Sequence, residues 1–299
     1  MSNAIAKLLN SISSISSDLI SSKVRHYGKF AIALLISTAL AVSLNPFVAK
    51  ALDLSDLFRI LPSAVQIIQL SNIGDNEEVA LGRQIDAQIR QEVRISQDRA
   101  ANALVKRLGQ ILVPTSDRPN IPYTFQVVDD NNLNAFATMG GFVYINTGTI
   151  AAADNVAQLA SVIGHEIGHI TGRHSLEQMK QTAIAQGIAN IAGVADDRLV
   201  GIGVNLALRL PNSREAEFDA DRRGLLNITK SGFAASAMPA FMRKLASAGG
   251  GNAPSFLSTH PATSDRINAL NQSIQSNGIR TAGGLNDSEY QRIWKNRFR

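Results

Sequence analysis

The sequence predicts an α+β domain that is mainly helical, with a small antiparallel or mixed sheet beside one histidine-bearing helix. Three observations carry this. Apolar residues recur at helical spacing through 76–95 and 98–112 and again beyond Ala151. Between them, residues 123–129 (YTFQVVD) alternate like a strand, and 141–146 (GFVYIN) form a second one bounded by Gly140-Gly141 and Thr147-Gly148. Finally, Gly164-His165-Glu166-Ile167-Gly168-His169 lies within a helical stretch.

From the N-terminus, a first module is expected over residues 1–51. FAIALLISTALAVSL, residues 30–44, is uncharged, follows Lys23, Arg25 and Lys29, and stops at Asn45-Pro46. Spanning a bilayer takes about 20 apolar residues, so this run suits an export signal better than a permanent anchor. Ala49-Lys50-Ala51 offers the small residues a signal peptidase reads, and cleavage is expected after Ala51. If it is not cut, residues 30–44 remain as an anchor. Either outcome places the body outside the cytoplasm, because the positive flank stays inside.

The chain's excess charge belongs to that leader. Of 29 Lys and Arg and 24 Asp and Glu, residues 1–51 hold five bases and one acid, leaving 24 bases against 23 acids. A nearly neutral body argues against nucleic acid as a partner. With no cysteine, any metal site must be built from histidine and carboxylates.

The body, 52–274, starts with 54–70, amphipathic and broken at Pro62, followed by a helix whose start is marked by Asn76, Glu77 and Glu78. Residues 176–195 and 198–209 are apolar but divided by Asp196, Asp197 and Arg198, so they read as packed helices. Gly249–Gly251 marks a link, 259–274 a capped helix, and 275–299 a polar C-terminal tail ending in Trp294 and Phe298.

The chemistry centres on H-E-x-x-H. Residues i and i+4 of a helix lie about 40° apart around the axis, so His165 and His169 can face one ion. Glu166 beside them is placed to act on water as a general base without being a ligand. Ala160, Val162, Ile163, Ile167 and Ile170 give this helix an apolar, buriable body. A third histidine at the H-E-x-x-H-x-x-G-x-x-H position is missing: Gly172 fits, but Ser175 occupies the histidine place and His174 falls one residue early. At five residues past His169, His174 reads as structural. A carboxylate does better, because Glu217 and Asp221 are i and i+4 on a helix-compatible stretch. Glu217 can complete a His₂Glu set for one zinc ion, while Asp221 reaches a ligand histidine from behind.

These residues resemble a known family. Gly164–His169 with Arg173-His174-Ser175, then Ser213–Gly224 as S-R-x-x-E-x-[DE]-A-D-x-x-G, is similar to the gluzincin metalloendopeptidases. That family includes the HtpX heat-shock protease, the CAAX prenyl proteases and the OMA-type membrane quality-control peptidases. Asn134-Ala135-Phe136-Ala137 with Gly140-Gly141-x-Val143, and Thr259-His260-Pro261 with Arg266-Ile267, extend the likeness over about residues 75–272. The resemblance implies a zincin fold, Glu217 as third zinc ligand and Asp221 as its supporting aspartate. It also implies protein or peptide substrates, membrane-associated ones among them. Asp219 stands where many relatives carry Glu, at a non-ligand position. The body shows neither the several membrane helices of the prenyl proteases nor a tetratricopeptide extension, so prenyl-peptide cleavage and repeat-mediated docking are not implied.

The expected activity is hydrolysis of peptide bonds in misfolded or membrane-associated proteins outside the cytoplasm. Glu166 takes a proton from the attacking water and returns it to the leaving amine. His260 is expected near the site, either as a removable fourth ligand that keeps the enzyme latent or as an oxyanion donor, with Arg266 orienting a carboxylate. Gly141, Phe142 and Val143 are expected to receive an extended peptide as an added strand, the glycines permitting close backbone approach. A different class remains in view, a metal-bound chaperone or assembly factor with a closed, rarely active site.

Overall fold

The computed structural model describes residues 73–186, 197–248, 255–261 and 264–298, all within the unit Ser63–Arg299. The leader, the segment 54–70 and Gly249–Gly251 lie outside them. Helix α1 (Asp75–Glu92) opens with Asp75, Glu77 and Glu78 in its first turn, where carboxylates favour the positive helix end, and buries Leu81, Ile85 and Ile89 at four-residue spacing. Helix α2 (Arg99–Leu112) is capped by Asp98, whose carboxylate accepts from the Ala100 and Ala101 amides at 2.9 and 3.0 Å. It buries Ala101, Val105, Leu108 and Leu112.

Three strands follow: β1 (Thr124–Val128), β2 (Ala135–Thr138) and β3 (Phe142–Asn146), in spatial order β1-β3-β2. β1 runs parallel to β3 and β2 antiparallel to it, so the sheet is mixed. Side chains alternate across a strand, and here the alternation sorts residues between two cores. Val127, Ala135, Val143 and Ile145 join one core, and Val128, Phe136, Phe142 and Tyr144 the other. β3 is buried on both faces for that reason.

After α3 (Thr147–Ala152) comes α4 (Val156–Thr171), capped by Asn155 on the Gln158 amide and buried from Ala157 to its end. Then follow α5 (His174–Ala185), α6 (Asp197–Arg209), α7 (Arg214–Lys230, capped by Ser213), α8 (Ala237–Ala248), α9 (Ser255–Thr259), α10 (Ser264–Ser276) and α11 (Asp287–Trp294). No described helix is long and apolar enough to cross a membrane.

The expected helix over 259–274 divides. Thr259 closes α9, and α10 begins at Ser264, because Pro261 has no N–H to continue a helix and restricts His260 before it. The C-terminal segment packs onto the body. Gly283 bridges Phe233, the Gly284 carbonyl accepts from the Ala157 amide, and the buried Tyr290 hydroxyl donates to the Ile150 carbonyl at 2.7 Å. Trp294 joins the core, while Arg297 pairs with Asp98.

Candidate metal centre

Two helices meet through residues that lack side-chain bulk. A Cβ on Gly168 would lie 2.6 Å from the Ala220 carbonyl oxygen, and one on Gly224 would lie 3.0 Å from the Gly164 backbone. α4 and α7 therefore approach closely over the turns that carry His165, His169, Glu217 and Asp221.

The donor atoms converge there. The Nε2 atoms of His165 and His169 are 3.0 Å apart, Glu217 Oε1 lies 3.2 Å from His169 Nε2, and Oε2 lies 3.5 Å from His165 Nε2. Tetrahedral zinc with bonds of about 2.0–2.1 Å separates its donors by about 3.3–3.4 Å, so the three atoms are spaced to share one ion. His260 brings Nδ1 to 2.9 Å from Glu217 Oε1 and 3.3 Å from His165 Nε2, making a buried group of four possible donors.

The outer contacts of the rings argue the same way. His165 Nδ1 lies 3.0 Å from Asp221 Oδ1, close but off the ring N–H axis. His169 Nδ1 lies 3.0 Å from His174 Nδ1. With His165 Nδ1 beside Asp221 and His169 Nδ1 beside His174, the two Nε2 atoms and the Glu217 carboxylate face one another in a buried space, an arrangement a cation relieves. The protonation preferences show the conflict. Burial works to lower the His165 pKa, but Asp221 and Glu217 outweigh it and push it up to about 10; burial takes His169, 3.0 Å away, down to about 3. Burial also opposes the charge of Glu217, yet the surrounding imidazoles hold it well below the usual carboxylate range.

Arg266 neutralises the carboxylates from the far side. Its Nε and Nη2 donate to the two Asp221 oxygens, each at 2.7 Å, and Nη1 lies 2.6 Å from Glu217 Oε2. Burial opposes the Asp221 charge, and this fork overcomes it and holds the carboxyl low. Glu166 differs: it is fully buried, neither oxygen is hydrogen-bonded by a protein group, and burial pushes its pKa up. It lines a cleft with Ala137, His169, Asn212, Leu206 and His260, and its Oε1 lies 3.7 Å from His260 Nε2. The Phe256 ring stacks on His260 with centroids 4.7 Å apart.

Gly141, Phe142 and Val143 do not take the place expected of them. β3 is the central strand, bonded on both sides, and cannot accept a further strand. The glycines do admit a close backbone, but it is the chain's own: at φ 77° and 98°, Gly140 and Gly141 pack against Glu78–Val79 and Pro122–Tyr123. The edge beside the cleft is β2. The bond from the Asn146 amide to the Asn134 carbonyl sets a register that turns the backbone groups of Phe136 and Thr138 toward β3, and those of Ala135 and Ala137 away.

His174 comes back onto the ring of His169, 3.0 Å away. Five residues along a continuous helix would put it on another face, but α4 ends at Thr171 and the chain turns. Gly172, a helix-stop residue, was the signal.

A His₂Glu cluster on two closely packed helices beside a small mixed sheet defines a metallopeptidase of the zincin kind. Residues 99–274 match Peptidase family M48, and the chain belongs to that family. It is 30% identical over 251 residues to a protein of Vibrio cholerae described provisionally as a beta-barrel assembly-enhancing protease, covering 78% of this chain and 50% of that one. It is also 30% identical to the beta-barrel assembly-enhancing protease of Yersinia pestis over 64% of this chain and 43% of that one. To the mitochondrial metalloendopeptidase OMA1 of Arabidopsis thaliana it is 35% identical, over 53% of this chain and 33% of that one. The chain thus spans half or less of the length of these relatives.

Proposed function

We propose that this protein is a zinc metalloendopeptidase that hydrolyses misfolded or membrane-associated proteins outside the cytoplasm. The observation that carries the reading is the convergence of His165 Nε2, His169 Nε2 and the Glu217 carboxylate at the spacing of one ion, with the Glu166 carboxylate beside them accepting no hydrogen bond from the protein. His165, His169 and Glu217 hold the metal, and Asp221 and Arg266 brace the site. When bound, zinc supplies Lewis acidity, lowering the pKa of water from 15.7 to about 7 and polarising the scissile carbonyl.

The chain's own groups do the rest. An extended peptide adds to the free edge of β2 at Ala137, held by backbone bonds that ignore side-chain identity, which makes for broad specificity. Glu166, its pKa raised by burial, takes the proton of the attacking water and delivers it to the departing amine. His260 occupies the fourth donor position in the resting protein, and peptide entry displaces it. Residues 1–51 export or anchor the chain. The relatives' names, with beta-barrel assembly in one group and mitochondria in another, support membrane-protein substrates.

One observation favours the second reading, a metal-bound chaperone or assembly factor: Glu166 is fully buried and His260 only 2% exposed, so the site is closed. Casein degradation with and without chelator, comparing wild type and Glu166→Gln, separates the two. The peptidase loses cleavage in both treatments, by about 10²-fold or more for the variant, which keeps its metal. Cellular complementation by Glu166→Gln would instead support the chaperone.

A further inference from the structure

His174 and Asp219 sit behind the metal cluster and have no part in the mechanism above. A tight turn brings His174 there, while Asp219 comes from α7. α4 stops at Thr171, and Arg173 adopts φ 56°, a left-handed conformation uncommon outside glycine. Glu78 Oε2 accepts from Arg173 Nε at 2.8 Å, and the Ile73 carbonyl accepts from its Nη2 at 2.7 Å. A side chain on Gly172 would collide with the His174 ring, so glycine is required there. The result is an edge-on pair of imidazoles, His169 and His174, with centroids 5.0 Å apart at 81°.

The contacts assign the protons. Asp219 accepts from Arg222 and Arg223, and Arg223 also reaches Asp117 at 2.7 Å, so the carboxylate is fixed in place. Its Oδ2 lies 3.2 Å from His174 Nε2. A carboxylate can only accept, so Nε2 carries the hydrogen and a neutral His174 has its lone pair on Nδ1. His169 Nδ1, 3.0 Å from that lone pair, must donate to it. A neutral imidazole has one N–H, so His169 Nε2 is left as a bare acceptor, and this is the atom that faces His165 and Glu217.

We propose that His174 is a positioning residue: held by Asp219, it fixes the tautomer and orientation of His169 and so presets Nε2 for the metal. The two ligand imidazoles are then set by different devices. Asp221 faces His165 directly, whereas Asp219 acts on His169 through an intervening imidazole. Asp219, two residues from Glu217 on α7, thereby couples the helix of the carboxylate ligand to the ring of a histidine ligand on α4.

The inference rests on the metal reading, and the two fail separately. Zinc affinity is measured on the full chain by competition with a chelator, alongside the melting temperature of the metal-free protein. If the wild-type chain binds no zinc, the metal reading falls. If it binds, His174→Leu is expected to weaken zinc affinity about 10–100-fold. His174→Asn, whose Oδ1 can stand where Nδ1 stood and accept the same hydrogen, is expected to recover most of that loss. A His174→Leu chain that folds and binds like wild type would overturn the proposal, as would an Asn variant as weak as Leu at equal melting temperature. A readout on the wild-type chain serves even if the variants do not fold. Proton–nitrogen correlation spectra of histidine-labelled, metal-free protein should show His169 protonated at Nδ1 and bare at Nε2; the opposite tautomer refutes the assignment.

Discussion

Gly168 on α4 and Ala220 on α7 meet backbone to backbone, so closely that a Cβ on Gly168 would stand 3.0 Å from the Ala220 Cα and 2.6 Å from its carbonyl oxygen. The metal ligands sit within a turn of this contact on either helix. Ligand spacing is therefore set by a glycine that is not itself a ligand.

Gly168→Ala is expected to push the helices apart. Overpacking costs about 1–3 kcal/mol in unfolding experiments, and zinc affinity should fall as Glu217 is drawn from the imidazoles. An alanine variant with unchanged stability and unchanged affinity would mean the contact does not set the spacing.

Arg266 is the buried cation between Asp221 and Glu217, 3% exposed. Arg266→Met leaves two buried carboxylates without it and should destabilise the metal-free chain by about 3–5 kcal/mol. With zinc bound the loss should shrink, since the ion takes up part of the charge. Urea titrations with and without zinc check both figures; equal losses in the two states would contradict this view.

Asp98 both caps α2 and pairs with Arg297, at 2.6 and 3.0 Å. The Arg297 hydrogen bonds lead in holding its carboxyl below the ordinary value of 3.8; burial opposes them, and the Ala101 and Ala100 amides and the Arg297 charge help to overcome it. A lowered folded-state pKa stabilises above the unfolded value and is lost as the pH falls through the folded one. Asp98→Asn keeps the cap and loses the ion pair. Because the pair is largely exposed, it should cost under about 1 kcal/mol near neutral pH, less in high salt. The two proteins should converge in stability as the pH drops below about 3.8; a gap that widens there would show the sign to be wrong.

Tyr290 ties the C-terminal segment to the body. Tyr290→Phe leaves the Ile150 carbonyl without that partner and should cost about 1 kcal/mol. Truncation after Ser276, which removes Tyr290 and Trp294 and uncovers the core residues they pack on, should cost much more and lower the melting temperature. A truncated chain as stable as the whole would show this packing to be incidental.

Much of the site could be read locally. His165, His169 and Glu166 declare themselves because four-residue spacing on one helix is a geometric fact, and Glu217 and Asp221 because the same spacing recurs on a second charged stretch. The start of α1 followed from Asn76, Glu77 and Glu78, and the existence of α1 and α2 from apolar periodicity. His260 was legible as a fourth donor or an oxyanion donor near the site, although Pro261 divides the helix expected over 259–274.

What the chain determined by itself was short-range: helix faces, caps, and the two halves of a donor set, each fixed by bonds spanning a few residues. Tertiary structure decided which half met which, that β3 lies inside the sheet and β2 at its edge, that His174 turns back onto His169, and that residues 279–298 close over the core. Those outcomes depend on contacts between residues tens of positions apart, where the hydrophobic burial of whole faces, rather than local periodicity, selects the arrangement.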